Sequence, residues 1–345
     1  MVAAILKELE LQKGFLKGQP VETIYLGGGT PSILNGSELI SIFDKIYSLH
    51  SVIDNAEITL EANPDDLTLE KLKELKSTPI NRLSIGIQSF FEEDLKFMNR
   101  AHNAQEAQSC IENAKAIGFE NLTIDLIYGT PTMNDERWKE NIQKALDFSI
   151  PHLSCYCLTV EPNTALDHFV KTKKALPVDQ EQASRQFEIL LEKTVEGGYD
   201  HYEISNFAKE GWYSKHNSSY WKGKPYLGIG PSAHSFDGLN RQWNIAHNPK
   251  YLAAMKKGEV PFERELLTIS QRYNEYVMTS LRTSWGCELK MVKEFGENYA
   301  NHFLSIIAPF LQGESVFEKN QIYYLTSKGK LLADRIAMEL FFDEE

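Results

Sequence analysis

The sequence predicts an α/β fold, a partial (β/α)6 barrel followed by a small C-terminal α+β domain. Two patterns indicate this architecture. Over residues 1–262, short β-rich runs alternate with helical patterns, which is typical of parallel sheets covered by helices. Over residues 263–345, helical patterns precede a β-hairpin pattern and a last helix, as in winged-helix modules. We therefore predict one domain at 1–262 and a second at 263–345.

The barrel prediction depends on six β-rich runs, whose spacing suits right-handed crossovers. The runs are ETIYLGG, AEITLEAN, RLSIGIQ, NLTIDLIYG, HLSCYCLTV and DHYEISNFA. The helical patterns between them cover 39–49, 69–75, 106–117, 137–148 and 182–196. The chain begins on a further amphipathic pattern at 1–17, with no strand before it. We therefore expect a TIM-like barrel that lacks its first strand.

Composition narrows the function. With 345 residues and 42% apolar content, the chain can bury a large core. A formal charge of -12 argues against a general nucleic-acid binder. Winged-helix modules often bind DNA, but the acidic ending FFDEE and the few basic residues favour a packing or partner role for the C-terminal domain. The sequence contains no signal-peptide pattern and no apolar run of roughly 20 residues that would span a bilayer. A cytoplasmic location is predicted.

Polar residues follow the strands at their carboxyl ends, where α/β proteins bind ligands. A solvated rim would also be polar, and for any one position it is an equal alternative; five consecutive strands favour a site. Glu61 and Asp125 lie within apolar runs, where a charge needs a partner such as an amino or hydroxyl group of a ligand. Arg100 is a candidate partner for a carboxylate in the same site.

The first strand ends in the glycine run of TIYLGGGTPSIL. Glycine allows positive φ and also allows a ligand to approach the main chain closely. The run lacks the GxGxxG spacing and the GK[ST] ending of the common phosphate loops. Its amides beside Thr30 are suited instead to a small polar group such as an amino-acid head.

These motifs together resemble one family along essentially the whole chain. GGGTPSIL, LEANP, LSIGIQSF with NRAH, IDLIYGTP, LTVEPNT and YEISNFA follow the pattern of the oxygen-independent coproporphyrinogen III oxidase-like branch of the radical S-adenosylmethionine (SAM) enzymes. The resemblance implies a radical SAM barrel with SAM at its open end. The residues that match the SAM-contacting positions are Gly28, Gly29, Thr30, Glu61, Gln88, Arg100, Asp125 and Thr159.

A second motif is more specific within this branch. KHNSSYW resembles the HNxxYW motif of the HemW-type haem chaperones and marks His216, Asn217, Tyr220 and Trp221 as candidate haem contacts. A lone histidine is more often an ordinary hydrogen-bonded residue. Here aromatic side chains accompany it, and neutral imidazole is a good axial ligand for haem iron, so His216 is the candidate iron ligand.

The sequence departs from the family in its cysteines. A four-iron (4Fe-4S) cluster is usually held by CxxxCxxC, and this sequence contains no such motif. Cys155 and Cys157, two residues apart on a strand, are expected to pack as small apolar side chains. Two explanations compete: a longer protein that supplies the motif, which we favour, or a relative without a cluster. In either case, we predict that the chain as given binds no cluster and does not cleave SAM.

Three functions compete. The first is a HemW-like chaperone that passes haem to respiratory or other haem proteins at the inner membrane, and HNSSYW favours it. The second is an oxygen-independent coproporphyrinogen III dehydrogenase of porphyrin biosynthesis, a branch that usually lacks HNxxYW. The third is a structural protein with neither activity. The resemblance also leaves a homodimer as a possible assembly.

Overall fold

The computed structural model describes residues 1–343, which form two compact units. The first, here the barrel unit, contains Thr23–Gly36 and Glu57–Ser214. The second, here the terminal unit, contains Met1–Glu22, Ser37–Ala56 and the chain from Lys215 onward. The predicted boundary after residue 262 stays a prediction.

The secondary structure comprises strands and helices in alternation, with short 3-10 turns at Pro31–Ile33 and Pro64–Asp66. The strands are β1 (Val21–Leu26), β2 (Val52–Ala62), β3 (Arg82–Gln88), β4 (Asn121–Tyr128), β5 (His152–Cys157), β6 (Asp200–Glu203), β7 (Asn206–Ala208), β8 (His234–Phe236), β9 (Asn240–Asn244), β10 (Phe262–Leu266), β11 (Cys287–Glu288), β12 (Val316–Lys319) and β13 (Ile322–Leu325). The helices are α1 (Val2–Leu11), α2 (Gly36–Leu49), α3 (Leu69–Lys76), α4 (Glu92–Phe97), α5 (Ala104–Ala116), α6 (Asp135–Asp147), α7 (Ala165–Lys171), α8 (Gln180–Glu196), α9 (Lys215–Trp221), α10 (Asn248–Lys257), α11 (Ile269–Leu281), α12 (Leu289–Phe295), α13 (Glu297–Gln312), α14 (Ser327–Lys330) and α15 (Ala333–Glu339).

The main sheet has seven strands in the order β1-β2-β3-β4-β5-β7-β6. Strands β2 to β5 run parallel, with Glu61 opposite Ser84 and Asp125 opposite Ser154. The predicted partial barrel with its alternating helices is confirmed. Because parallel neighbours end at the same edge, the sheet collects the polar strand ends on one side.

The predicted sixth strand, DHYEISNFA, differs from the prediction. It forms a hairpin in which β6 and β7 pair antiparallel, and β7 runs antiparallel to β5. The Asn206 side-chain amide donates a hydrogen bond to the Glu203 carboxylate across the turn. This local pair closes the turn and reverses the chain, so a single parallel strand does not form.

A buried polar network lies near the amino ends of the barrel strands. The Arg82 guanidinium, which is buried, lies 3.9 Å from the Glu57 carboxylate and donates a hydrogen bond to Thr123. The His152 Nε2 atom lies 2.7 Å from the Tyr202 hydroxyl. Burial and the nearby Arg82 charge hold the pKa of His152 well below its ordinary value, so the imidazole is neutral. The network ties β2, β3, β4, β5 and β6 together.

The terminal unit contains two three-stranded sheets, ordered β10-β9-β8 and β11-β13-β12. The second sheet follows α11 and alternates with α12 and α13 in the order α11-β11-α12-α13-β12-β13. This order confirms the predicted winged-helix-like module. Within residues 1–343, no helix combines the length and the apolar character needed to cross a membrane.

Helix α1 is held by a carboxylate that is completely buried, Glu8. Its Oε2 atom accepts hydrogen bonds from the Gly230 N–H at 2.8 Å and the Tyr251 hydroxyl at 2.6 Å. Its Oε1 atom accepts from the side-chain amides of Asn244 at 2.6 Å and Gln12 at 3.0 Å. Four neutral donors therefore replace the water that this carboxylate loses on burial.

Replacing Glu8 by alanine should lower the free energy of unfolding by roughly 2–4 kcal/mol, because the donors lose their acceptor inside the protein. Glu10→Ala is the matched control, since Glu10 lies on the same helix and makes only solvent-exposed ion pairs with Lys7 and Lys45. Urea unfolding of both variants measures the difference. Equal unfolding midpoints for the two variants would contradict this role of Glu8.

Candidate functional site

Glu61, near the end of β2, connects two neighbouring strands. Its Oε1 atom accepts a hydrogen bond from the Tyr25 hydroxyl at 2.6 Å, and its Oε2 atom accepts one from the Gly28 N–H at 3.2 Å. Burial and the Glu61 carboxylate together raise the pKa of Tyr25 far above its ordinary value, so the phenol keeps its proton and donates. These hydrogen bonds join the glycine run that follows β1 to strand β2.

The glycine run has a different requirement at each position. A Cβ at Gly27 would stand 2.5 Å from Tyr25 Cε1 and 2.8 Å from the Glu61 carboxyl carbon, so no side chain fits there. Gly28 has a φ of 75°, which favours glycine. A Cβ at Gly28 or Gly29 would meet nothing within 4 Å. The run is therefore packed against the protein at Gly27 and open at the next two positions, beside Thr30.

Gln88, at the end of β3, is buried and has a φ of 66°. The β3–β4 register shifts between Ile85 and Gln88, and this irregularity redirects the strand end. A Cβ at Gly86 would lie 2.9 Å from Gln88 Nε2, 3.2 Å from Arg100 Nη2 and 3.7 Å from Asn63 Oδ1. The side chains of Gln88, Arg100 and Asn63 therefore come together over Gly86, where a larger residue would collide with them.

Arg100 lies after α4 and is half-buried. Its Nη2 atom donates to Asn63 Oδ1 at 3.1 Å, and Asn63 follows directly after β2. The structure thus places Arg100 with the ends of β2 and β3, where it bonds an amide oxygen; its role as partner of a carboxylate stays a prediction. The guanidinium also lowers the pKa of Asp125 through its charge.

Asp125, in the middle of β4, has an unusual protonation equilibrium. Burial, and next the charge of Glu61, raise the pKa of Asp125 to about 7, against an ordinary value of 3.8. The neighbouring Ser154 side chain and the charges of Arg100 and Arg82 oppose this shift. Two carboxyl groups that repel each other on one sheet form a site suited to a cationic group.

Thr159 is less closely connected with these residues. It is exposed, it lies two positions beyond the end of β5, and its hydroxyl donates at 3.4 Å to the carbonyl of Cys157. The structure therefore shows only a local contact for the Thr159 side chain.

Sequence reasoning missed three side chains near this site: Tyr25 on β1, and Ser154 and Tyr156 on β5. Tyr25 contacts Glu61, Ser154 contacts Asp125, and the charge of Asp125 contributes to a raised pKa of Tyr156, after burial. The period-two alternation of side chains along a strand could have found Ser154 and Tyr156, because they lie two residues apart on β5.

The second candidate site is α9, which folds from the KHNSSYW segment. The His216 and Tyr220 rings lie four residues apart on one face, with centroids 4.9 Å apart and an interplanar angle of 90°. Tyr220 also packs edge-on against Tyr226 at 4.6 Å. Tyr220 nevertheless stays 43% exposed, whereas Asn217 and Trp221 are half-buried. The motif thus presents an imidazole and an aromatic ring next to each other.

The cysteines do not fit an iron–sulfur cluster. Cys110, Cys155 and Cys287 are buried, and burial raises the pKa of both Cys110 and Cys287 to about 12. Burial also raises the pKa of Cys155 and Cys157. Clusters bind thiolates, and these thiols are protonated at neutral pH. Within residues 1–343, no group of three or more His, Cys, Asp or Glu side chains is placed to hold a metal ion.

The comparisons with known proteins first show the class of protein to which the fold belongs. Residues 2–145 match the Radical SAM superfamily. The fold is similar to that of the solved coproporphyrinogen III oxidase HemN of Escherichia coli, with a TM-score of 0.84 and 23% identity over 98% of this chain and 82% of that chain. The barrel unit is therefore a radical SAM half-barrel.

The family follows from closer relatives. The chain is 34% identical to heme chaperone HemW of Bacillus subtilis (strain 168), over 92% of this chain and 85% of the relative. It is 31% identical to heme chaperone HemW of Escherichia coli (strain K12), over 99% of this chain and 90% of the relative. This chain belongs to the HemW family of radical SAM proteins. The resemblance described from the motifs is confirmed.

Asp125→Asn should stabilise the protein in a pH-dependent way. Between pH 4 and 7 the folded wild-type protein retains a proton that the unfolded chain has lost, because the pKa of Asp125 rises from 3.8 to about 7 on folding. Wild-type stability therefore falls as pH rises through this window. The variant should be close to the wild type near pH 4 and exceed it by roughly 4 kcal/mol at pH 8, because a rise of about three pKa units corresponds to about 1.4 kcal/mol per unit.

Urea unfolding at a series of pH values measures this effect. Glu140→Gln is the control, because Glu140 is exposed on α6 and the charge change is the same. A constant difference between wild type and Asp125→Asn at all pH values would show that Asp125 ionises normally.

Proposed function

We propose that this chain is a haem-binding chaperone that holds haem at α9 and transfers it to respiratory or other haem proteins. The observation that carries the proposal is the pairing of His216 with the exposed Tyr220 in a family of haem chaperones. An imidazole can ligate the iron, and an aromatic side chain can pack on the porphyrin. An exposed site suits a protein that must release its ligand to another protein.

Helix α9 gives each motif residue a distinct position. His216 and Tyr220 are one helical turn apart, so that a ligand bound to His216 would also contact the Tyr220 ring. Tyr226 supports Tyr220 from the side and is half-buried. We propose His216 as the iron ligand and Tyr220 as the ring contact, with Asn217 and Trp221 shaping the rest of the site.

We further propose that the barrel unit binds SAM at its strand ends. The open space in front of Gly28 and Gly29 would receive the amino-acid end, and Glu61 and Asp125 suit its ammonium group. Arg100 suits its carboxylate, and Gln88, Thr30 and Thr159 complete the proposed set. SAM would supply a methionine head group and a sulfonium cation to this site.

A 4Fe-4S cluster is proposed only for a chain that also carries CxxxCxxC. The cysteines of the described residues do not fit one, so no reaction step is derived through a cluster. That this chain alone does not cleave SAM stays a prediction.

We also propose that the protein works in the cytoplasm and meets its haem acceptors at the inner membrane. A homodimer stays a prediction.

His216→Ala should weaken haem binding by about tenfold or more, because the iron loses its proposed protein ligand. Titration with haem, followed by the Soret absorption band, measures the affinity and shows the change in ligation. His168→Ala is the matched control, since His168 is exposed beside the Phe169 ring at 6.2 Å but lies outside the motif.

Two outcomes would count against the proposal. If wild type and His216→Ala bind haem equally, His216 is not the ligand. If the wild-type chain binds no haem, the chaperone function fails for this chain.

Gly29→Ala should reduce SAM affinity by about tenfold while leaving stability unchanged, because its Cβ would occupy only the open space in front of the loop. Gly28→Ala should instead destabilise the fold by about 1 kcal/mol, since its φ is 75°. Titration calorimetry with SAM and thermal unfolding separate the two effects. Unchanged SAM affinity in Gly29→Ala would place the ligand elsewhere, and a wild-type chain that binds no SAM would refute the barrel site.

A further inference from the structure

Two tryptophans of the terminal unit each carry a cation near the C-terminal end of α9. The Arg282 guanidinium carbon lies 5.6 Å from the centroid of the Trp221 ring. The Lys222 Nζ atom lies 4.4 Å from the centroid of the Trp285 ring. Both distances are within the range of cation–π interactions. Two cations, Lys222 and Arg282, therefore lie next to the end of the haem motif, each over a tryptophan ring.

The Arg282 guanidinium is held by an ion pair with the exposed carboxylate of Asp334. Of its five N–H donors, Nη1 bonds to Asp334, and the buried Nε has no partner in the described part of the chain. The Asp334 side chain is 78% exposed, so this ion pair contributes little to stability. A carboxylate from a ligand can therefore replace Asp334 at small cost.

Lys222 is exposed, and no carboxylate of residues 1–343 lies within 4.0 Å of its ammonium. By contrast, Lys224, two residues later, pairs with Glu22 at 2.7 Å. In a protein of net charge -12, a cation held on an aromatic ring without a carboxylate is available to an anionic ligand.

We propose that Lys222 and Arg282 bind the two propionate carboxylates of haem, a role that depends on the proposed haem function of α9. Trp221 belongs to the haem motif and has Arg282 over its ring, and Lys222 follows Trp221 directly, so both cations lie at the C-terminal end of the helix that carries His216 and Tyr220. Iron ligation alone would leave the porphyrin free to turn about the metal–nitrogen bond. Two charged contacts at the rim fix its orientation.

The test compares haem with its dimethyl ester, which keeps the iron and the ring but has lost both negative charges. Both ligands are delivered from the same detergent micelles, and binding is followed at the Soret band. The wild-type chain should bind haem about tenfold or more tightly than the diester. Lys222→Gln and Arg282→Gln should each weaken haem binding about three- to fivefold, and the double variant should bind the two ligands almost equally.

The controls keep this result separate from the proposed function. Lys224→Gln removes a nearby charge that is already paired, and it should retain the wild-type preference. Arg282→Lys keeps the charge and should restore part of the preference, and thermal unfolding shows that each variant folds. If Arg282→Gln does not fold, the exposed Lys222→Gln still tests the proposal.

Three results are decisive. A wild-type chain that binds neither ligand refutes the proposed haem function itself. A wild-type chain that binds haem and diester equally leaves the haem site in place and refutes the propionate contacts. A preference for haem that survives in the double variant assigns those contacts to other residues.

Discussion

The strand ends of the barrel depend on the Glu61 carboxylate. It accepts hydrogen bonds from the Tyr25 hydroxyl and the Gly28 N–H, and thereby joins the glycine run to the second strand. Both donors are neutral, so its negative charge is not cancelled by them. That charge contributes to the high pKa of Asp125. One carboxylate thus positions the loop and sets the electrostatics that favour a cationic ligand group.

Glu8 shows how a purely structural carboxylate differs. It is completely buried and accepts hydrogen bonds from four donors, so no further group is needed. Glu61 is only half-buried and accepts hydrogen bonds from Tyr25 and Gly28 at an edge with open space beside Gly28. The number of donors, rather than the presence of a carboxylate in an apolar run, separates a structural role from a ligand site.

The sequence predicted the barrel strands and most of the strand-end residues because parallel strands end at a common edge. It missed Tyr25 and Tyr156, whose proximity to the Glu61 and Asp125 carboxylates depends on strand register and not on residue type alone. The hairpin at β6 and β7 was also missed, since its turn is closed by the contact between Asn206 and Glu203. The requirement for Gly27 follows from the packing of Tyr25 and Glu61, which lie apart in sequence.

The left-handed backbone of Gln88 makes the carboxyl ends of the barrel strands less stable than their amino ends. A residue other than glycine in this conformation costs about 1 kcal/mol, and this strain lies at the carboxyl ends of the strands. At the amino ends, Arg82 and Glu57 form a buried ion pair within a polar network. Local opening should therefore begin at the ligand edge while the base stays closed.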